Sequence, residues 1–178
     1  MRTLLPLIGL SILGAVASAQ EPRFAPSYDN PVGRELVAVF ISSTSCVANT
    51  TPGFLEAIDP MNRALARQAK EQNLPFVAVG VTTDWIPDSG YAYLKRLSSF
   101  NEMIVGRNWF NLGAAVYIWA DSTNRPMEPQ VILLERDVVM GPTAVQISPD
   151  RVLRRFFGAK DIMDWVNAGA PIPELQPN

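Results

Sequence analysis

The chain has 178 residues, 15 basic and 17 acidic side chains for a formal charge of −2, a single cysteine and no histidine. That balance, with no clustered basic run, excludes a nucleic-acid-binding surface. The missing histidine removes the commonest metal ligand and the base of serine–histidine and cysteine–histidine hydrolases. One cysteine rules out an internal disulfide, and neither a metal nor another cofactor is expected. In chain order, residues 1–19 have the pattern of a secretory signal: Arg2, an apolar core from Leu4 to Val16, and the small-x-small run Ala17-Ser18-Ala19. The core is shorter than the roughly 20 residues of a membrane-spanning helix. The mature chain is therefore expected to be exported, periplasmic or secreted, with no membrane contact after cleavage. About 159 of the 178 residues then remain, enough for one domain with a sizeable core.

Residues 20–34 are rich in proline and polar groups and suggest an extended leader. The run "ELVAVFIS" (35–42) lacks polar alternation, as expected of a strand buried on both faces. Phe54, Leu55, Ile58, Met61, Leu65 and Ala69 then recur at helical spacing. Thr51 before Pro52 resembles a helix N-cap, and Pro60 should kink or split the helix. "PFVAVGVTTD" (75–84) is a second strand, "SGYAYLKRLSSF" (89–100) a short helix and "NEMIVG" (101–106) a brief third strand. Residues 107–121 suggest a helix with Trp109, Leu112, Val116 and Trp119 on one side. A turn marked by proline leads into a strand from Gln130 to Arg136, "RVLRRFFG" (151–158) forms a last strand able to pair with it as an antiparallel hairpin, and "AKDIMDWVNAG" (159–169) closes as an amphipathic helix before a tail over 170–178.

Strands alternating with helices favour an α/β sandwich with a central mixed β-sheet flanked by helices. The order β-α-β-α-β-β-α, with Cys46 between the first strand and the first long helix, resembles the thioredoxin-like superfamily over roughly residues 34–168. Pro52 and Pro60 stand where members of that family carry a kink proline. Pro129 stands where they carry a cis-proline facing the thiol, and "FGAKDIMDWV" resembles their glycine-then-helix close. Exported thiol–disulfide oxidoreductases and peroxiredoxins are the most similar branches. The family's Cys-x-x-Cys is incomplete. With Cys46 as its first residue, Asn49 replaces the second cysteine; with Cys46 as its second, Ser43 replaces the first. The distance from the strand favours the first register, and the following "VANTTP" favours the second.

The resemblance implies a reactive Cys46, Asn49 at the resolving position without resolving, and a substrate face shaped by Pro129, Glu128 and Ser45. A thiol at a helix start gains from unpaired N–H groups, and a lone thiol must have its mixed disulfide resolved by a protein, peptide or small thiol from outside. The peroxidatic pattern lacks its proline. The expected function is single-cysteine thiol–disulfide exchange, with a non-catalytic module binding a protein or peptide partner as the alternative; the oligomeric state is left open. Elsewhere, Thr82, Thr83, Asp84 and Asp88 suggest a strand-end loop and helix cap before a cation site. Asp161 and Asp164 fit a helix start, and Trp85, Trp109, Phe110, Tyr117 and Trp119 are expected mostly in the core.

Overall fold

The computed structural model describes residues 23–25, 33–120, 123–141, 144–173 and 175. The expected signal segment 1–19 lies outside these residues, as do much of the expected leader and part of the 170–178 tail. Strand β1 (Gly33–Ser42) is the apolar run anticipated above, and Leu36 to Ile41 are each at most 1% exposed. A strand with both faces apolar must sit inside a sheet covered on both sides. β1 accordingly pairs in parallel with β2 (Phe76–Thr82) and antiparallel with β4 (Gln130–Met140). β3 (Glu102–Ile104) extends the sheet in parallel beyond β2. β5 (Val145–Ile147) and β6 (Arg151–Phe157) both return antiparallel along β4, so the expected hairpin forms with a break at residues 148–150.

Helices α1 (Ile58–Glu71), α2 (Pro87–Leu97) and α4 (Gly158–Asn167) cover one face of this sheet. Their inward residues, including Ile58, Met61, Leu65, Leu94 and Ile162, are fully buried against Phe40, Leu133 and Phe156. The other face is covered by a shorter piece, the single turn α3 (Leu112–Ala114) continued as a π-turn over Ala115–Trp119. The result is an α/β thioredoxin-like sandwich, identified by its sheet order β3-β2-β1-β4 with β6 next to β4. Ahead of the sheet, Phe24 is buried with its ring against Phe76, and its N–H donates to Asp59 Oδ1 at 3.3 Å.

Three local expectations change. Thr51 and Pro52 lie in turns, and α1 begins only at Ile58, without a side-chain cap. Pro60 falls in the first turn of α1, where no intrahelical bond needs its missing N–H, so it marks the start of the helix instead of kinking it. The 107–121 segment is not one regular helix. Asn111 donates to Thr82 O at 2.7 Å and Gly106 O at 3.1 Å, and its Oδ1 accepts from Ala114 N at 2.8 Å, which delays the helix to residue 112. Gly113 then lies so close to the sheet that a Cβ there would stand 2.7 Å from Val81. The small side of this segment, with Tyr117 and Ile118, therefore faces inward, while Leu112, Val116 and Trp119 are 70%, 46% and 53% exposed.

The packing of α2 on β2 yields a direct test. At Gly90 a Cβ would stand 2.3 Å from Thr82 Oγ1. On helix propensity alone, Gly90→Ala would stabilise by about 1 kcal/mol; the collision is expected to reverse the sign and destabilise by about 1–3 kcal/mol. Urea unfolding measures this, and a raised midpoint would contradict the close contact.

Candidate functional site

β1, β2 and β3 run in parallel and β4 runs opposite to them. The loops leaving the first three strands therefore gather at the same edge of the sheet as the segment that enters β4. The loop after β1, residues 43–46, is rich in hydroxyls because its groups must find partners where the ladder ends. Two carboxylates supply them. Asp84, after β2, accepts from Thr44 N with both oxygens at 3.2 Å and from Thr44 Oγ1 at 2.5 Å. Glu128, before β4, accepts from Ser43 Oγ at 2.6 Å and, through its other oxygen, from Thr83 Oγ1. Ser43 and Ser45 hydroxyls lie 3.2 Å apart.

Cys46 closes this loop and is 8% exposed. Its N–H donates to Ser43 O at 3.3 Å, and its carbonyl accepts from Asn49 N at 3.0 Å, starting the single 3₁₀ turn Val47–Thr50. Asn49 is fully engaged. Its Nδ2 donates to Ser43 O at 2.9 Å and Thr44 O at 3.2 Å, and its Oδ1 accepts from Tyr93 Oη at 2.8 Å. Tyr93, on α2, also lies 3.1 Å from Ser42 Oγ. It is 3% exposed, and burial pushes its hydroxyl up to about 12; nearby Cys46 and Glu128 add to this, while the Ser42 hydrogen bond and Arg96 oppose it. Tyr93 is the site residue that sequence reasoning missed. Helical spacing marks it as inward-facing, but no local signal ties its hydroxyl to Asn49.

The structure thus brings Cys46, Asn49, Ser45 and Glu128 to one edge, linked through Ser43. The Glu128–Pro129 peptide is cis, and buried Pro129 accepts from Gly158 N at 2.8 Å, which joins this corner to the start of α4. The other candidates separate. Thr83 turns to Glu128, Asp84 to Thr44 and Thr82 to Gly90, and Asp88 stays exposed on α2. Among the described residues no group of three acidic or cysteine side chains could hold a metal ion. Asp161 accepts from Phe157 N at 2.9 Å and Asp164 pairs with Lys160 at 2.5 Å, both serving α4 itself.

The aromatic residues depart furthest from expectation, since among the five only Tyr117 is buried. Gly106, Arg107 and Asn108 have φ values of 81°, 56° and 53°, a left-handed run that only the glycine adopts without cost. Asn108 N–H donates to Asp84 O at 3.1 Å, which ties this turn to the Cys46 loop through Asp84. The turn presents Phe110 beside Trp85, with ring centroids 6.4 Å apart and exposures of 69% and 66%. Ile86 and Val47 are 62% and 84% exposed at the same edge.

No protein-family model matches the chain, and no curated protein matches it. Solved structures similar to it include BsSco, a member of the Sco family of cytochrome c oxidase assembly proteins, at 13% identity and TM-score 0.38, covering 76% of this chain and 80% of that one. Yeast Sco1 is similar at 11% identity and TM-score 0.38, over 76% and 84%. A thioredoxin-family thiol:disulfide interchange protein from Chlorobium tepidum TLS is similar at 13% identity and TM-score 0.34, over 77% and 81%. Sheet order and strand register, rather than these distant similarities, carry the fold assignment.

Two measurements probe the network. Glu128→Ala removes the acceptor of two hydroxyls on residues 1% and 4% exposed, and a loss of about 2–4 kcal/mol in unfolding free energy is expected. Tyr93 holds its proton more tightly folded than unfolded, so its contribution is intact below the ordinary value of 10 and is lost as pH rises from there towards about 12. The expected slope is at most about 1.4 kcal/mol per pH unit. Tyr93→Phe should flatten its share of that alkaline decline, as measured by urea titrations across this range.

Proposed function

We propose that the chain is an exported thioredoxin-fold module that binds a protein partner through the edge carrying the Cys46 loop. The observation that carries this reading is the exposed Trp85–Phe110 pair, held out by a left-handed turn beside that loop. Large aromatic residues exposed together on a folded surface are typical of interaction sites, where they supply much of the binding energy. The condition of the thiol supports the same reading. Exchange chemistry needs access to the sulfur along the line of attack, and Cys46 is 8% exposed. Reactive thiolates are found next to cations, whereas the ionic groups bonded to this loop are the carboxylates of Asp84 and Glu128. Asn49, in the resolving position, serves as an internal strap.

Single-cysteine exchange with a protein, peptide or small thiol is the second reading. What favours it is the segment entering β4, whose Glu128 is hydrogen-bonded to the Cys46 loop. The substrate-facing roles of Ser45, Glu128 and Pro129 belong to either reading, because both use the same edge.

The test is photo-crosslinking in cells with a reactive amino acid at position 85, together with Trp85→Asp/Phe110→Asp and Cys46→Ser variants. A crosslinked partner is expected whose affinity for the purified protein falls about tenfold or more in the double variant and is unchanged in Cys46→Ser. Loss of the phenotype in Cys46→Ser alone, with a thiol-probe rate above that of free cysteine, would transfer the assignment to redox exchange. For export, the mature protein is expected to begin at Gln20, as read by terminal mass spectrometry; a chain retaining Met1 in the cytoplasmic fraction would refute it.

A further inference from the structure

From Asn108 to Ala120 the sequence has no charged residue. A helical segment that is apolar on every side is normally buried on every side. Here Ala114, Tyr117 and Ile118 pack inward on the sheet, while the exposed side chains, Phe110, Leu112, Ala115, Val116, Trp119 and Ala120, are all apolar. Trp109 ties this stripe together. Its ring meets that of Trp119 with centroids 6.3 Å apart, and its carbonyl accepts from Trp119 Nε1 at 2.7 Å. Past Phe110 the stripe runs on into Trp85, and Ile86 adjoins it.

Ile86 adds an observation of a different kind. It is the N-cap of α2 and makes no side-chain hydrogen bond to the helix. Isoleucine is among the poorest N-caps, where aspartate, asparagine or serine would satisfy an orphan N–H. The free monomer thus forgoes a cap in order to expose an apolar side chain. The left-handed Arg107 and Asn108 that hold Phe110 out are a second local cost at the same place. Local rules broken together on one surface mark a functional one.

Trp85, Ile86, Phe110, Leu112, Val116 and Trp119 are each between 46% and 70% exposed. Bulky side chains exposed to that degree leave on the order of 100 Å² each in water. The stripe therefore stands at the upper end of what a monomer exposes and approaches the roughly 800 Å² that each member of a stable pair covers. Charge selects the occupant. A membrane-surface helix backs its apolar side with a basic one, whereas the back of this segment is core. Two-fold pairing asks for a face complementary to itself. An uncharged stripe meets that condition, while the net charge of −2 opposes contact between copies elsewhere. Asp88 and Arg107, exposed on either side of the contact between Gly106 and Pro87, flank the stripe with one charge of each sign.

We propose that this stripe is a self-association surface whose occupant is a second copy of the chain in a two-fold pair. It continues the edge assigned above to a protein partner, and its assignment rests on that reading. Sedimentation equilibrium of the mature chain from about 1 to 200 μM tests it, and a reversible monomer–dimer equilibrium is expected. Ile86→Asp should weaken association about tenfold or more while keeping or raising the melting temperature, because aspartate is a favoured N-cap. Leu112→Asp should weaken it to a similar degree, and Val139→Asp, exposed at the far end of β4, should leave it unchanged. A chain that stays monomeric throughout, unaltered association in a folded Ile86→Asp variant, or equal weakening by Val139→Asp would overturn the pairing. A monomer that still crosslinks through position 85 to a different protein would overturn the pairing and leave the protein-binding reading intact. A monomer that instead floats with phosphatidylglycerol–phosphatidylethanolamine vesicles and crosslinks to no protein would overturn both.

Discussion

From Leu36 to Ile41, β1 has neither an exposed face nor an exposed edge. Its side chains alternate between two apolar cores, and its backbone is shared between a parallel and an antiparallel neighbour. Burying such a run contributes on the order of 25 cal/mol per Å² of apolar surface, so the strand cannot slip or flip without exposing both sets of side chains. The rest of the architecture follows from that constraint. A parallel β2 requires a crossover helix, which is α1, and both faces require a cover. The common direction of β1, β2 and β3 sends their loops to one edge. The antiparallel β4 starts at that edge, which is why Cys46, Asp84, Phe110 and Glu128 become neighbours despite their distance in sequence.

At that edge the ladder ends and leaves polar groups with little water to satisfy them. Ser42, Ser43, Thr82 and Thr83 are at most 4% exposed, so their hydroxyls must be matched within the protein or carry a penalty. Asp84 and Glu128 meet part of that need, Asn49 and Tyr93 another part. The arrangement gives the site its rigidity and also limits its chemistry. A loop stitched down by two carboxylates, an amide and a phenol holds Cys46 in place with little of it exposed. The same stitches fix the neighbouring loops, since Asp84 reaches both Thr44 and Asn108. The aromatic rim is therefore part of the same rigid unit as the thiol loop, which suits a surface that binds without rearranging.

The parts of this design that were legible in the sequence are those governed by local periodicity. The run 35–42, the helical spacing from Phe54 to Ala69 and the glycine-then-helix close at Gly158 all specify elements that depend little on distant partners. Cys46 and Pro129 could be placed at one edge once the strand order was recognised. What could not be read depends on tertiary approach. The stripe Trp109, Leu112, Val116 and Trp119 has good helical spacing, yet Leu112, Val116 and Trp119 point outward and Trp109 alone of the four packs on the core, because Gly113 lets the other side come against Val81. Asn49 stands in the second-cysteine position, yet its partnership with Tyr93 spans 44 residues. The pairing of Glu35 with Arg136 depends on a strand register that neither segment reveals alone.

The two ends of β1 differ in how they treat charge, and the difference has a common origin. Near Cys46, polar groups are neutral hydroxyls and amides around two carboxylates that are each held by donors. At the start of β1 the second face has only the short α3 and its π-turn for cover, and that cover stops at Tyr117. Extending the apolar core further would have exposed it, so the inward positions there become ionic and close on one another instead. Glu35, Arg136 and Asp150 bind the β5–β6 break to the sheet in place of a helix. The half-covered sheet face thus ends in paired charges at the start of β1, and Gly113 sets how closely the covering segment can approach.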